Sequence, residues 1–411
     1  MKIAILTDSF YPDFNGLVSS LIQTTKALAE KGHHILIITA KYPENNEIFI
    51  HKNIEIVRLS SIPLFTYKGI RIILPNKKKV MKELKLFHPD IIHVHQLGVT
   101  TPYALRYARF HTIPIIATFH SLCTEQIEYI MPHRLLGIHH LFEKKNDINK
   151  NNLTRYQTTK SFVWKILKKY YSRFNLIITP STAIKNELIE KEINKNIEVI
   201  SNGINLNKFP VKTDYSQKNK ILHFGRISYE RNVDILVKAF DNFLKRNNQN
   251  REDIELHIIG NGPEFEKVKR LIKELNREDS IKIFGYLPRE TIINDFLTNY
   301  DFAITASTME TQSMMILESF AAGLPVIGVD KYAIPDLVRH ESTGFIARAF
   351  DIEELAYYME KMYESQQLRE MLGVNAKKEA EKHELSIIIS QLEALYKRII
   401  EEKRIIVEDK L

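Results

Sequence analysis

Along this chain, short unbroken apolar runs alternate with longer segments whose apolar residues recur every three or four positions. "KIAIL" (Lys2–Leu6), "HILIIT" (His34–Thr39), "DIIHVH" (Asp90–His95), "IPIIATFH" (Ile113–His120) and "NLIITPS" (Asn175–Ser181) are such runs. Between the first two lies "LVSSLIQTTKALAEKG" (Leu17–Gly32), with helical spacing and a glycine stop. Continuous Ile, Val and Leu predict strands buried on both faces, and helices between them predict a parallel sheet.

After the polar stretch "NKFPVKTDYSQKNK" (Asn207–Lys220) the rhythm restarts. "ILHFGRI", "IELHIIG", "IKIFGYL", "FAITAS" and "PVIGVD" read as strands, and "VDILVKAFDNFLKR", "EFEKVKRLIKELNR", "RETIINDFLTNY" and "DIEELAYYMEKMYES" as helices. The polar stretch then reads as a linker. The expected class is α/β, with two doubly wound Rossmann-like domains, 1–206 and 207–390, facing across a cleft. A helix over 391–411 is expected to pack back on the first domain. The polar segment 142–160 reads as an excursion from the sheet.

The composition agrees with this picture. A chain of 411 residues, 44% hydrophobic and 26% charged, suits two soluble domains. Its single cysteine, Cys123, excludes an internal disulfide and reads as a small buried residue. The start "MKIAILTDSFYP" lacks a signal-peptide pattern, and no apolar run nears the roughly 18–20 residues that span a bilayer. The net charge of +8 and pI of about 9.1 allow an acidic partner or simple basic drift. Nucleic acid is disfavoured, because the basic residues are spread rather than striped with aromatics.

One segment joins core-like sequence to chemistry. In "STMETQSMMILESFAAGLPVIGVD" (Ser307–Asp330), Glu310 and Glu318 flank an apolar run. The helix between the two strands must be short, roughly Met314 to Ala322, with Gly323 as its stop. Glu310 falls in the loop before it and Glu318 on it, about 80° apart around an ideal helix. The helix start is therefore the point of interest, since N–H groups over Gln312–Met315 make an anion site. An anion there repels both acids unless they face hydroxyls, and a nucleotide sugar satisfies both conditions. A capping acid and a solvated helix acid stay open as the plainer reading.

"HFGRISYERN" (His223–Asn232) adds positive charge after a strand. Gly225 permits close backbone approach, and Arg226 and Arg231 can hold diphosphate oxygens bidentately, or can be ordinary surface arginines. No Asp-x-Asp or HExxH pattern offers a metal site. His93 and His95 point to one side of a strand, which suits a structural or acceptor-side role better than a metal.

Taken in order, "FGRISYERNVDILVKAF", "IIGNGPEFEKVKRL", "IFGYLPRE" and "TASTMETQSMMILESFAAGLPVIG" resemble the carboxyl-terminal domain of the family-4 retaining glycosyltransferases of GT-B fold. "MKIAILTDSFYPDFNGLVSSL", "DIIHVHQ", "ATFHS", "TPSTAIKNEL" and "VISNGINLNKF" resemble the family's amino-terminal half, so the resemblance spans essentially the whole chain. It implies that Glu310 holds the donor sugar, Glu318 the ribose, and Arg226 and Arg231 the phosphates. Tyr286 and Leu287 would meet the nucleobase through their backbone. Asn15 and Gly16 would approach the diphosphate or sugar, and His120 would stand near the reacting carbon. Gln312, Ser313, Met314 and Met315 complete the implied donor site. Arg231 stands where the family usually has Lys, Asn15 where a second Gly is common, and Ser313 where Gly is common. Ser313 narrows the approach to the phosphate. In "ISNGIN", Ser201 and Asn205 replace the usual Pro and Asp.

The implied activity moves a hexose from a nucleoside-diphosphate sugar, expected to be UDP-linked, to a hydroxyl, with retention. No tightly bound cofactor and no metal are expected. The form of the carboxylate motif and "FHSLCTEQIEYI" are most similar to enzymes that glycosylate diacylglycerol, which implies a membrane-lipid acceptor. "SFVWKILKKYYSRF" (Ser161–Phe174) sets Lys165, Lys168, Lys169 and Arg173 among apolar residues. That pattern suits either an anionic membrane surface or a core-facing helix with a solvated basic face. The expected location is cytoplasmic, peripheral on the inner face of the membrane. A saccharide acceptor, a nucleotide-sugar 2-epimerase and a non-catalytic nucleotide-sugar-binding subunit remain open.

Overall fold

The computed structural model describes residues 1–13, 16–43, 48–63, 71–120, 161, 163–193, 196–246 and 253–408; Asn15, Cys123 and 142–160 lie outside them. The chain divides into two units, Met1–Ser201 with Ile388–Leu411, and Asn202–Ile387. Each is a Rossmann-like α/β domain built on a parallel sheet.

In the first unit, β1 (Lys2–Leu6), β2 (His34–Ala40) and β3 (Ile54–Leu59) are followed by a small antiparallel pair, β4 (Ser61–Pro63) and β5 (Arg71–Ile73). β6 (Ile91–Val94), β7 (Ile115–Thr118), β8 (Leu176–Thr179) and β9 (Ile197–Val199) complete a seven-stranded sheet in the order β3-β2-β1-β6-β7-β8-β9. Ile3, Ala4, Ile5 and Leu6 of β1 are all buried, as continuous apolar sequence requires of a strand with no solvent face. Two of the connecting helices start on side-chain caps: Asn76 Oδ1 accepts from the N–H of Lys79 at 3.0 Å, and Ser181 Oγ from that of Ile184 at 3.4 Å.

The second unit holds β10 (Lys220–Phe224), β11 (Glu255–Ile259), β12 (Ile281–Gly285), β13 (Phe302–Ile304), β14 (Val326–Val329) and β15 (Gly344–Ala347). Their order is β12-β11-β10-β13-β14-β15. The helix Val233–Lys245 buries Val233, Leu236, Val237, Phe240 and Phe243, the face its spacing marks out.

The structure refines three expectations. The stretch 207–220 is docked on the second unit rather than hanging free, and the division between the units falls after Ser201, close to the expected 206/207. Phe209 and Tyr215 are buried, Lys212 N–H donates to Ala322 O at 2.8 Å, and Tyr215 OH donates to Gly323 O at 2.9 Å. A few anchors hidden in polar sequence are enough to dock it. The C-terminal helix begins at Leu385 rather than 391, and the change of unit falls within it, after Ile387. "RETIINDFLTNY" is helical without a break over 289–299, but the helix changes type, from α at Arg289–Thr291 to π at Ile292–Phe296 and 3-10 at Leu297–Asn299. Three consecutive β-branched residues, Thr291 to Ile293, weaken a regular helix there.

Arg369 ties the docked stretch to the core. Its guanidinium is 1% exposed and donates to Met362 O at 2.8 Å, Tyr363 O at 2.7 Å and Tyr215 O at 3.1 Å. It faces the equally buried Asp301, whose carboxylate accepts from the N–H groups of Lys218 and Lys220. Arg369→Ala strands that carboxylate and is expected to cost about 3–5 kcal/mol. Urea denaturation measures it; a loss below about 1 kcal/mol would show that the cluster contributes little.

Candidate functional site

In an open parallel sheet, ligands bind beyond the carboxyl ends of the strands, where the strand order reverses. In the second unit that point is β10, with β11 on one side and β13 on the other. The loops leaving β10 and β13 are sewn together. Thr308 N–H donates to Glu230 O at 2.9 Å, and Asn232 Nδ2 donates to Ala306 O at 3.0 Å and to Thr308 Oγ1 at 3.1 Å. Gly225 opens the first loop at φ +144, and its N–H donates to Ile259 O at 2.9 Å. A Cβ on Gly260, the residue after β11, would come within 1.8 Å of Gly225 O, so backbone packs directly on backbone here.

The stitching brings Arg231, Ser307 and Glu310 together. Arg231 and Glu310 form an ion pair, and Arg231 Nη1 donates to Ser307 Oγ at 3.3 Å. Glu310 is 5% exposed. Glu318, on the helix Met314–Ala321, is also buried and pairs with Arg289 at 2.7 Å. Burial raises the Glu318 carboxyl, and Arg289 offsets part of that rise. The sequence reading grouped Arg226 with Arg231 and left both acids without basic partners. The structure instead gives each acid a guanidinium, while Arg226 is exposed. Arg289 was missed: it follows Tyr286-Leu287 closely in "GYLPRE", but only the fold sets it beside Glu318.

The helix Met314–Ala321 leaves the N–H groups of Met314, Met315 and Ile316 without intrahelical acceptors. Its cap residue Ser313 is buried and makes no side-chain capping bond. Gln312 is buried too, and its Oε1 accepts from the N–H of Asn202 at 2.6 Å. Leu287 packs against the core of this unit, whereas the Tyr286 side chain is 60% exposed.

In the first unit the reversal is at β1, between β2 and β6. Gln96, just past β6, holds the loop after β1: its Oε1 accepts from Thr7 Oγ1 and from the N–H groups of Asp8 and Ser9, at 2.7–2.9 Å. Asp8, also missed by sequence reasoning, presses on the glycine that follows; a Cβ on Gly98 would lie 2.0 Å from Asp8 Oδ2. Asp8 Oδ1 is sealed from solvent and has no hydrogen-bond partner among the described residues. Burial pushes its carboxyl up to about 6. Further along this edge, His95 Nδ1 and His120 Nε2 are 2.8 Å apart. Gly16 opens the helix Gly16–Glu30.

Two family models match the chain: Glycosyltransferase Family 4 over residues 14–208 and Glycosyl transferases group 1 over residues 206–379. The chain is a family 4 glycosyltransferase. This glycosyltransferase is 26% identical, over 84% of its length and 74% of the relative's, to an alpha-monoglucosyldiacylglycerol synthase of Streptococcus pneumoniae. It is 24% identical to an enzyme of that description from Acholeplasma laidlawii, over 98% of both chains. Among solved structures, Anabaena HepE in complex with UDP superposes with a TM-score of 0.73 at 18% identity, over 97% of this chain and 100% of that one. The fold is therefore GT-B.

The amphipathic pattern at 161–174 has a structural account in the glycosyltransferase. Trp164, Leu167, Tyr171 and Phe174 are buried, and Trp164 stacks parallel to Phe119. The apolar face is thus spent on the enzyme's own core, and Lys165, Lys168, Lys169 and Arg173 face outward. No described helix is long and apolar enough to cross a membrane, and no group of three or more potential metal-ligating side chains occurs among the described residues.

Asp8 gives the glycosyltransferase a distinct pH signature. Its folded pKa of about 6 lies above its ordinary 3.8, so between those values the folded state holds the proton more tightly. The stability this contributes is full below about pH 4 and is lost as pH rises through about 6. Asp8→Asn is expected to raise stability at pH 7.5 by about 1–3 kcal/mol, allowing for partial exposure, with no gain at pH 4. Urea denaturation at the two pH values checks this; equal effects at both would refute it.

Proposed function

We propose that this glycosyltransferase moves a hexose from a UDP-sugar to a hydroxyl of a diacylglycerol-type lipid, with retention. The observation that carries the donor side is the pair of buried carboxylates, each matched by a guanidinium, around the strand-order reversal of the second unit. An incoming diphosphate competes with Glu310 for Arg231. As Arg231 turns to the phosphates with Arg226, Glu310 is released to accept hydrogen bonds from sugar hydroxyls. Glu318 does the same for the ribose, and the start of the helix Met314–Ala321 adds backbone donors toward the phosphates. Gly225, Tyr286, Leu287, Gln312 and Ser313 are assigned to this donor site, and the family resemblance assigns His120 to the sugar.

In the transfer step the bond from the anomeric carbon to the β-phosphate oxygen breaks. The acceptor oxygen bonds to that carbon on the same face, and its proton passes to the departing phosphate. The products are a glycosylated lipid and a nucleoside diphosphate. Charge stabilisation of the leaving group by Arg226, Arg231 and the helix end supplies the main rate effect. No residue of the chain is assigned a nucleophile's role. The lipid acceptor is supported by the two alpha-monoglucosyldiacylglycerol synthases to which the chain is similar. The outward basic face at 161–174 suits acidic headgroups at a membrane surface.

The test incubates the enzyme with a panel of nucleotide sugars and a lipid extract, reading products by mass. A hexosyl-diacylglycerol made from a UDP-sugar is expected, and product formed only on water-soluble acceptors would exclude the lipid. Arg226→Ala and Glu310→Gln should each lower turnover by roughly 10²–10³-fold with the thermal midpoint checked alongside. Near-normal turnover in either variant would remove that residue's role.

A further inference from the structure

The first unit carries a polar ladder on one face of two neighbouring strands. β6 and β7 pair in parallel with Val94 opposite Ala117. His93 and His95 therefore share a face of one strand, and Thr118 and His120 share the facing side of the other. His93 is saturated: Nδ1 meets Tyr396 OH at 2.7 Å, from the helix Leu385–Glu408, and Nε2 meets Thr118 Oγ1 at 2.7 Å. Its ring lies 4.0 Å, centroid to centroid, from that of His95. His95 and His120 are nearly coplanar, 16° apart, with centroids at 5.1 Å and Nδ1 to Nε2 at 2.8 Å. That is the geometry of two imidazoles joined edge to edge by one N–H···N bond.

Such a bond needs one nitrogen protonated and the other bare. Burial keeps all three rings neutral, with His93 and His120 pushed down to about 3 and His95 well below its ordinary value. With two neutral rings, the tautomer of one dictates that of the other. His93 and its two hydroxyl partners leave the His95 ring little freedom to turn.

We propose that His95 is a positioning residue for the transfer reaction, fixing the plane and tautomer of His120. This rests on the sugar-contacting role given to His120 above. With His120 Nε2 engaged by His95, the tautomer of the pair decides whether His120 Nδ1 carries a proton.

The test uses the full chain carrying ¹⁵N-labelled histidine, and long-range ¹H–¹⁵N spectra that report tautomers. Wild type should show His120 as a single neutral tautomer. His95→Leu should give mixed tautomers and a kcat lower by as much as ~10²-fold, with the KM for the donor little changed. His95→Asn, whose amide reaches the place of Nδ1 and can turn to donate or accept, should hold the ring plane and recover much of kcat. An unchanged His120 tautomer in His95→Leu would overturn the proposal, and so would an Asn variant whose kcat is as low as that of Leu. His120→Gln separates the two levels. Full turnover in that variant removes the role of His120 itself, while the tautomer spectra still decide the link to His95.

Discussion

A strand buried on both faces can hold a polar side chain at its ends, or inside it only where a hydrogen-bond partner meets it. Both sheets follow this: His93, His223 and His257 sit inside β6, β10 and β11 and each is hydrogen-bonded, while the candidate site residues stand at or beyond strand ends. Ile3 to Leu6 of β1 and the interior of β14 are sealed apolar sequence. The functional candidates crowd the strand ends: Asp8, His95 and His120 in one unit, Gly225, Arg231 and Glu310 in the other. The sealing that forces polar groups to the edge also desolvates them there. Desolvation makes the edge groups costly when unpaired and responsive when a ligand offers a partner.

The two units meet that cost differently. The second unit neutralises its acids with guanidiniums, Arg231 for Glu310 and Arg289 for Glu318. The first keeps imidazoles uncharged and links them by hydrogen bonds, from Tyr396 through His93 and from His95 to His120. Asp8 follows neither course and retains a sealed oxygen without a partner among the described residues.

Much of this was legible before folding. Strand positions followed from unbroken apolar runs, and Glu310, Arg231 and His120 stood where strands stop. Periodicity and strand ends are local, so sequence carries them. The match between Arg289 and Glu318, the reach of Tyr396 to His93 and the docking of 207–220 are not local. Each depends on which strands become neighbours, and no spacing along the chain encodes that. The pattern at 161–174 left two readings open for a related reason. An apolar stripe reads the same whether it faces lipid or the protein's own Phe119.

The first unit is discontinuous, since residues 388–411 belong with 1–201. In vectorial synthesis the second unit therefore has all of its chain before the first does. Until Tyr396 has emerged from the ribosome, His93 on β6 lacks one of its two hydroxyl partners, and the nascent amino-terminal half waits with that polar group unmatched.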